Sequence, residues 1–178
     1  MIAYGGKELA NAFRTVRKNT IQIAEEIPEE KYSFAPAPET KPVGKLLTHM
    51  AISTVIQEDL HKTKQLATLV GYDFFALRDR MVAEEGKARS KADIVELLRS
   101  SGERFAEWLE SLTPEFLGEQ VTQPDGMTSK SRFELLLGSK EHEMHHRGQL
   151  MLIERQIGIV PHPTRRFNEM VAQRAAKG

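Results

Sequence analysis

The sequence predicts an all-α protein, a four-helix bundle with long crossover connections and short extra helices. Three observations predict it. Apolar residues recur in helical steps of three, four and seven along four separate stretches. No run of alternating β-branched residues signals a strand. The chain has 178 residues, enough for one well-formed core and few for two. A single domain over residues 1–178 is therefore expected, with the bundle at about 5–160 and a tail helix at about 164–175.

The first helix is expected from about Lys7 to Ile27, with Leu9, Phe13, Val16, Ile23 and Ile27 on one stripe. Prolines at 28, 36, 38 and 42 then forbid a continuous helix. The second helix is expected from about Val43 to Val70, ended by Gly71. The segment "YDFFALRDRMVAEEG" reads equally as a short helix or an ordered loop. Ser90 with Asp93 resembles a capping box and opens a third helix, closed by Thr113-Pro114. Pro124-Asp125-Gly126 reads as a turn in the connection that follows. The fourth helix spans about Ser131 to Ile157, and a tail helix about Thr164 to Ala175.

Lysine plus arginine equal aspartate plus glutamate at 25 each, so no basic excess points to nucleic acid. The chain has no cysteine, which excludes disulfides, thiolate ligands and a cysteine nucleophile. Thiol chemistry would need an external thiol. No apolar run approaches the roughly 20 residues that span a membrane, and the first 20 residues carry no secretory pattern. A cytoplasmic protein without membrane contact is expected.

Three of the six histidines stand in "EHEMHHRGQL". Residues four apart on a helix lie about 40° apart around its axis. His142 and His146 thus share a stripe with Leu135, Ser139, Leu150, Ile153 and Ile157, the expected inward face. His145 points to the flank and is expected to be solvated. His49 shares an inward stripe with Leu46, Ser53, Ile56 and Leu60, whereas His61 lies about 120° from it and is expected to be exposed. Burying three imidazoles is costly unless each ring nitrogen finds a partner. One divalent ion satisfies all three, and three protein ligands leave a position open, as in catalytic sites. Zinc is the first choice; nickel, iron, manganese and copper suit imidazole too. Glu143 and Arg147 adjoin the histidines but fall off the centre of the stripe, which assigns them to helix-surface or dimer contacts. No catalytic residue is assigned.

The stretches "IPEEKYSFAPAPETKPVGKLLTHMA" and "DGMTSKSRFELLLGSKEHEMHHRGQLMLIERQIGIVP" resemble the DinB-like family, also called the YfiT-like or bacillithiol transferase superfamily. The proline-aromatic linker leading into a histidine helix, together with "HHRGQ", carries the resemblance, which runs from about residue 5 to residue 161. It implies a metal triad of His49, His142 and His146, near one end of an up-up-down-down bundle that is frequently a homodimer. Some relatives are metal-dependent thiol transferases, and others isomerise a small molecule with a thiol cofactor. The implied function is metal-dependent transfer of a low-molecular-weight thiol to a small-molecule substrate. Hydrolysis by metal-activated water, or a non-catalytic metal-binding or stress-associated role, are the alternatives.

Overall fold

The computed structural model describes residues 4–177. Four long helical stretches form the bundle: α1 (Gly6–Glu26), the pair α2 (Val43–Ile52) and α3 (Thr54–Gln57), α5 (Lys91–Glu110) and α7 (Arg132–Gln156). Short helices α4 (Phe74–Glu85) and α6 (Pro114–Gly118) and the tail helix α8 (His162–Ala175) complete it. The starts of α5 and α7 are chemically marked. Ser90 and Asp93 form the expected reciprocal capping box, and Ser131 and Glu134 form a second one, each satisfying donors that a helix start leaves free.

Both α1 and the α2–α3 stretch pack against α5 and α7. Gly6 sits against Leu109, and the Lys91 ammonium donates to the Ile27 carbonyl at 2.8 Å, so α1 and α5 are antiparallel. Tyr4 meets Phe133 edge-on, and Arg17 meets Glu143, so α1 and α7 are parallel. Gly44 lies beside Ile94 and Glu58 beside Arg104, so α2–α3 and α5 are parallel. Around the bundle the directions read up, up, down, down. Along the chain they read up, down, down, up. The expected order thus holds between spatial neighbours rather than between successive helices. What allows two successive down helices is α4, which runs back beside α2, packing Leu77 and Met81 on Ile52.

The expected α1 stripe is buried throughout. Two apolar clusters fill the bundle. One holds Phe13, Phe105 and Leu136; the other holds Ile23, Leu47, Leu98, Leu150 and Ile153. Phe13 and Phe105 meet edge-on at 5.0 Å between ring centroids, a favoured aromatic geometry. Between the clusters lies a polar layer. The Arg17 guanidinium donates to Glu143 on α7 at 2.8 and 3.0 Å, to the Leu98 carbonyl and Ser101 hydroxyl on α5, and to the Met50 carbonyl on α2. One side chain thus ties four helices. A Cβ at Gly102 would sit 2.7 Å from Arg17 Cγ, so the close passage of the arginine needs glycine there.

Several expectations are corrected. The second helix does not reach Val70. A turn at Ser53 interrupts it, and residues Glu58–Thr63 form a π-helical turn that ends it. A π turn adds about one residue, or roughly 100°, to the helical phase. His61 is therefore buried rather than exposed, with Nδ1 accepting from Arg132 at 2.9 Å. Burial, reinforced by Arg132, pushes its imidazole down to about 4. Glu143 is not a surface residue but is 1% exposed and bound to Arg17. The connection after α6 contains a two-stranded antiparallel hairpin, β1 (Gln120–Thr122) and β2 (Ser129–Ser131). Its turn falls where expected, with Gly126 at φ 71° and the Asp125 carboxylate accepting from the Met127 and Thr128 amides. Thr68 bridges to Thr122 beside it, occupying residues expected to be helical. Among the described residues no helix is long and apolar enough to cross a membrane.

The start of α8 docks on the ends of α1 and α7. Arg165 pairs with Glu26 at 2.6 Å, and Glu154 is wholly buried beneath them with no hydrogen-bond partner for either carboxylate oxygen. Burial, and then the nearby Glu26 carboxylate, push Glu154 up to about 7. A carboxyl that binds its proton more tightly when folded contributes stability that is full below about pH 4.5 and lost as pH rises towards 7. Glu154→Gln is therefore expected to lose less stability than the parent between pH 5 and pH 8, by on the order of 2 kcal/mol. Thermal melts at the two pH values check this; identical pH dependence would contradict it.

Candidate metal centre

The three expected histidines converge. His49 comes from the last turn of α2, and His142 and His146 come from successive turns of α7. The Nε2 atoms of His49 and His142 lie 3.0 Å apart, and those of His142 and His146 lie 3.1 Å apart. All three rings offer a nitrogen within a 4.8 Å group. Two nitrogens each about 2.1 Å from one ion stand about 3.0 Å apart at a right angle and about 3.4 Å at the tetrahedral angle. The observed edges match that scale. The cluster sits halfway along α7, in the seam with α2, rather than near an end of the bundle.

The outer nitrogens show which atoms face inward as lone pairs. His49 Nδ1 lies 2.6 Å from Glu85 Oε1, and the other Glu85 oxygen is paired with the Lys41 ammonium. Burial favours the neutral form of Glu85, but Lys41 and His49 outweigh it and hold the carboxyl below the usual range. An ionised carboxylate only accepts, so His49 Nδ1 carries the hydrogen, and Nε2 is the nitrogen turned to the cluster. His146 Nδ1 likewise donates to Gln149 Oε1 at 2.7 Å, leaving its Nε2 free. Burial, then the neighbouring histidines and Arg17, push His142 down to about 4, and burial also pushes His146 down. Three ring nitrogens face one point at hydrogen-bond spacing, and a cation at that point would satisfy all three together. The donor set fits a divalent ion with three imidazole ligands.

His145 is exposed, as expected, and its Nε2 lies 3.3 Å from the Gln149 amide on the outer side of the cluster. The histidines are not at the centre of the inward face, however. The most buried line of α7 runs through Arg132, Leu136, Glu143, Leu150 and Glu154. His142 and His146 lie to one side of it, towards α2, while Glu143 faces α1.

Sequence reasoning missed Glu85 and Lys41. Glu85 ends α4, the segment left open between helix and loop, and Lys41 lies in the proline-rich linker. Both orient His49 in the way outer carboxylates orient metal-ligating histidines. Gln149 does the same for His146, and its place three residues on is the one sequence signal for this role.

A cavity of about 320 Å³ opens beside His146, between the linker and α7.

The model of the DinB family matches residues 1–175. The chain is 25% identical over 160 residues to YjoA of Bacillus subtilis, covering 85% of this chain and 90% of that protein. The crystal structure of YjoA, described as a DinB-like protein, aligns at 23% identity with a TM-score of 0.62, covering 85% of this chain and 92% of that one. YfiT of Bacillus subtilis aligns at 17% identity with a TM-score of 0.67, covering 89% of this chain and 91% of that one. YfiT is described as a probable metal-dependent hydrolase with an unusual four-helix bundle topology. These likenesses agree with the four-helix bundle seen here. The family match spans nearly the whole sequence, and the chain belongs to the DinB family.

Proposed function

We propose that this protein is a metal-dependent enzyme that binds one divalent ion through His49, His142 and His146 and transfers an external low-molecular-weight thiol to a small-molecule electrophile. The observation that carries the reading is the convergence of three Nε2 atoms, with the outer nitrogens of His49 and His146 held by Glu85 and Gln149. Zinc is the first choice; nickel, iron and manganese suit the same donors. A divalent ion bound there lowers the pKa of a thiol or water brought to it and stabilises the anion formed.

The chain's own residues favour thiol over water chemistry. Hydrolysis gains from a carboxylate or histidine placed to take a proton from the attacking water. Glu85 is turned to the far side of His49 and engaged by Lys41, and Glu143 is engaged by Arg17. Neither is free as a base. A thiol, already far more acidic than water, needs no such base. The adjacent cavity supports an enzyme over a non-catalytic metal binder, because it leaves room for a reactant at the open side of His146. Hydrolysis is the second reading, favoured by the description of YfiT.

Cobalt substitution followed by thiol titration tests the proposal. Sulfur-to-cobalt charge-transfer absorption in the near ultraviolet is expected, with loss of both the band and thiol transfer in His49→Ala. No band with any biological thiol would reject thiol transfer and favour hydrolysis.

We also infer a homodimer. Phe167, Met170 and Val171 on α8 are 64%, 66% and 52% exposed, an apolar face that a second copy would bury. A monomer mass at micromolar concentration would contradict it.

A further inference from the structure

The cavity beside His146 carries information about what the site accepts. Pro36 and Lys41 of the linker form one wall, Leu46 of α2 the floor, and His146, Leu152 and Ile153 of α7 the other wall. Its surface is mostly hydrocarbon. No acid lines it, and Lys41 is its only permanently charged side chain. At about 320 Å³ it stands at the small end of ligand sites, which run from about 300 to 1,000 Å³. That suits a compact molecule and not a nucleotide or peptide. Leu152 is 59% exposed at the rim, an apolar side chain left in water where a ligand would cover it. His146 belongs to both the cavity and the histidine cluster, so the cavity adjoins the cluster.

We propose that this cavity binds the apolar body of a compact substrate whose anionic head lies at the three histidines. The assignment of the head rests on the metal reading above; that of the body rests on the cavity alone. The charge pattern supports the orientation. Three imidazole ligands leave an ion's full positive charge uncompensated beside the cavity, while the Lys41 charge is matched by its Glu85 partner. The hydrocarbon wall of Leu46, Leu152 and Ile153 offers the far end of the molecule only apolar contact. An anion is thus drawn to the histidine end and an alkyl or aryl group to the other.

A second apolar cavity, between the α2–α3 stretch, α4 and α5, has a similar volume of about 340 Å³ and is lined in part by Ile52, Leu77 and Met81. None of the three histidines lines it, so it serves as the internal control.

The test has two arms. In the first, metal-loaded protein is titrated with acetohydroxamate and with octanohydroxamate, which share a metal-binding head and differ in alkyl length. The longer probe is expected to bind at least tenfold tighter. Leu152→Asp is expected to abolish that advantage and leave acetohydroxamate affinity within about twofold, since an exposed rim residue is replaced and the fold is spared. Equal affinity of the two probes, or an advantage that survives Leu152→Asp, overturns the proposal.

In the second arm, metal-free protein labelled at its leucine and isoleucine methyl groups is titrated with octanoate. Shifts are expected at Leu46, Leu152 and Ile153 and not at Ile52 or Leu77. Shifts confined to Ile52 and Leu77, or none, overturn it. If octanoate shifts the expected methyls while acetohydroxamate fails to bind, the metal reading is wrong and the cavity assignment stands. If acetohydroxamate binds without any gain from the alkyl chain, the reverse holds.

Discussion

Replacing His142 or His146 with alanine is expected to reduce bound divalent metal from about one ion per chain to a small fraction, while His145→Ala leaves it unchanged. His142 lies at the centre of the cluster, within 3.0 Å of His49 and 3.1 Å of His146. Its loss leaves two nitrogens on separate helices with nothing joining them. His146 contributes the second nitrogen of α7 from the flank that faces α2. His145, one residue earlier, is turned about 100° away and is exposed; it meets the Gln149 amide and the edge of the His146 ring on the outer side of the cluster. A metal analysis of the three variants side by side checks this. Loss of metal in His145→Ala with retention in His146→Ala would mean that the ligand set is wrong. Folding is not at issue, since His146 lies at the edge of the core and alanine is the best helix former.

Glu143→Gln is expected to cost the largest amount of stability of any conservative change, about 3–5 kcal/mol. The side chains of Arg17 and Glu143 are 4% and 1% exposed, and among the described residues Glu143 is the one ionic partner of Arg17. Removing the negative charge leaves a buried cation with only carbonyls and a hydroxyl around it. Against a typical total of about 5–15 kcal/mol, that is a large share, and the midpoint of thermal unfolding should fall by roughly 10 °C for a chain of this size. The double variant Arg17→Met with Glu143→Leu removes both charges and should recover most of the loss, because well-packed apolar groups replace a buried pair at little cost. If the double variant is less stable than the single one, the pair contributes net stability beyond charge compensation. If Glu143→Gln melts with the parent, the bridge is not the keystone of the polar layer.

That polar layer also explains where the sequence is legible and where it is not. The stripe Leu9, Phe13, Val16, Ile23 and Ile27 is apolar along its length, and it is buried as read. On α7 the innermost line passes through Arg132, Glu143 and Glu154. A reading that seeks apolar residues steps over three charges and sets the inward face to one side. The histidine pair was found because its spacing carries metal-binding geometry independently of the phase. Its flank position, aimed at α2, was not.

The partners of the site were hidden for a different reason. On α4, Arg78, Asp79, Arg80 and Glu84 interrupt the apolar pattern, and only Leu77 and Met81 join the core, so nothing in that stretch announces a helix that returns Glu85 to His49. His61 illustrates a third cause. Its burial depends on the π turn of residues 58–63, and a helical wheel with 3.6 residues per turn misplaces everything after such a turn. The β1–β2 hairpin, with three residues per strand, is too short to show alternation.

The most direct measurement is the metal content of protein purified without a polyhistidine tag, combined with X-ray absorption at the edge of the metal found. The account predicts one divalent ion per chain, surrounded by nitrogen ligands at roughly 2.0–2.2 Å and lost in His142→Ala. Protein that carries no metal, and binds none after incubation with zinc, nickel, iron and manganese in turn, would contradict it.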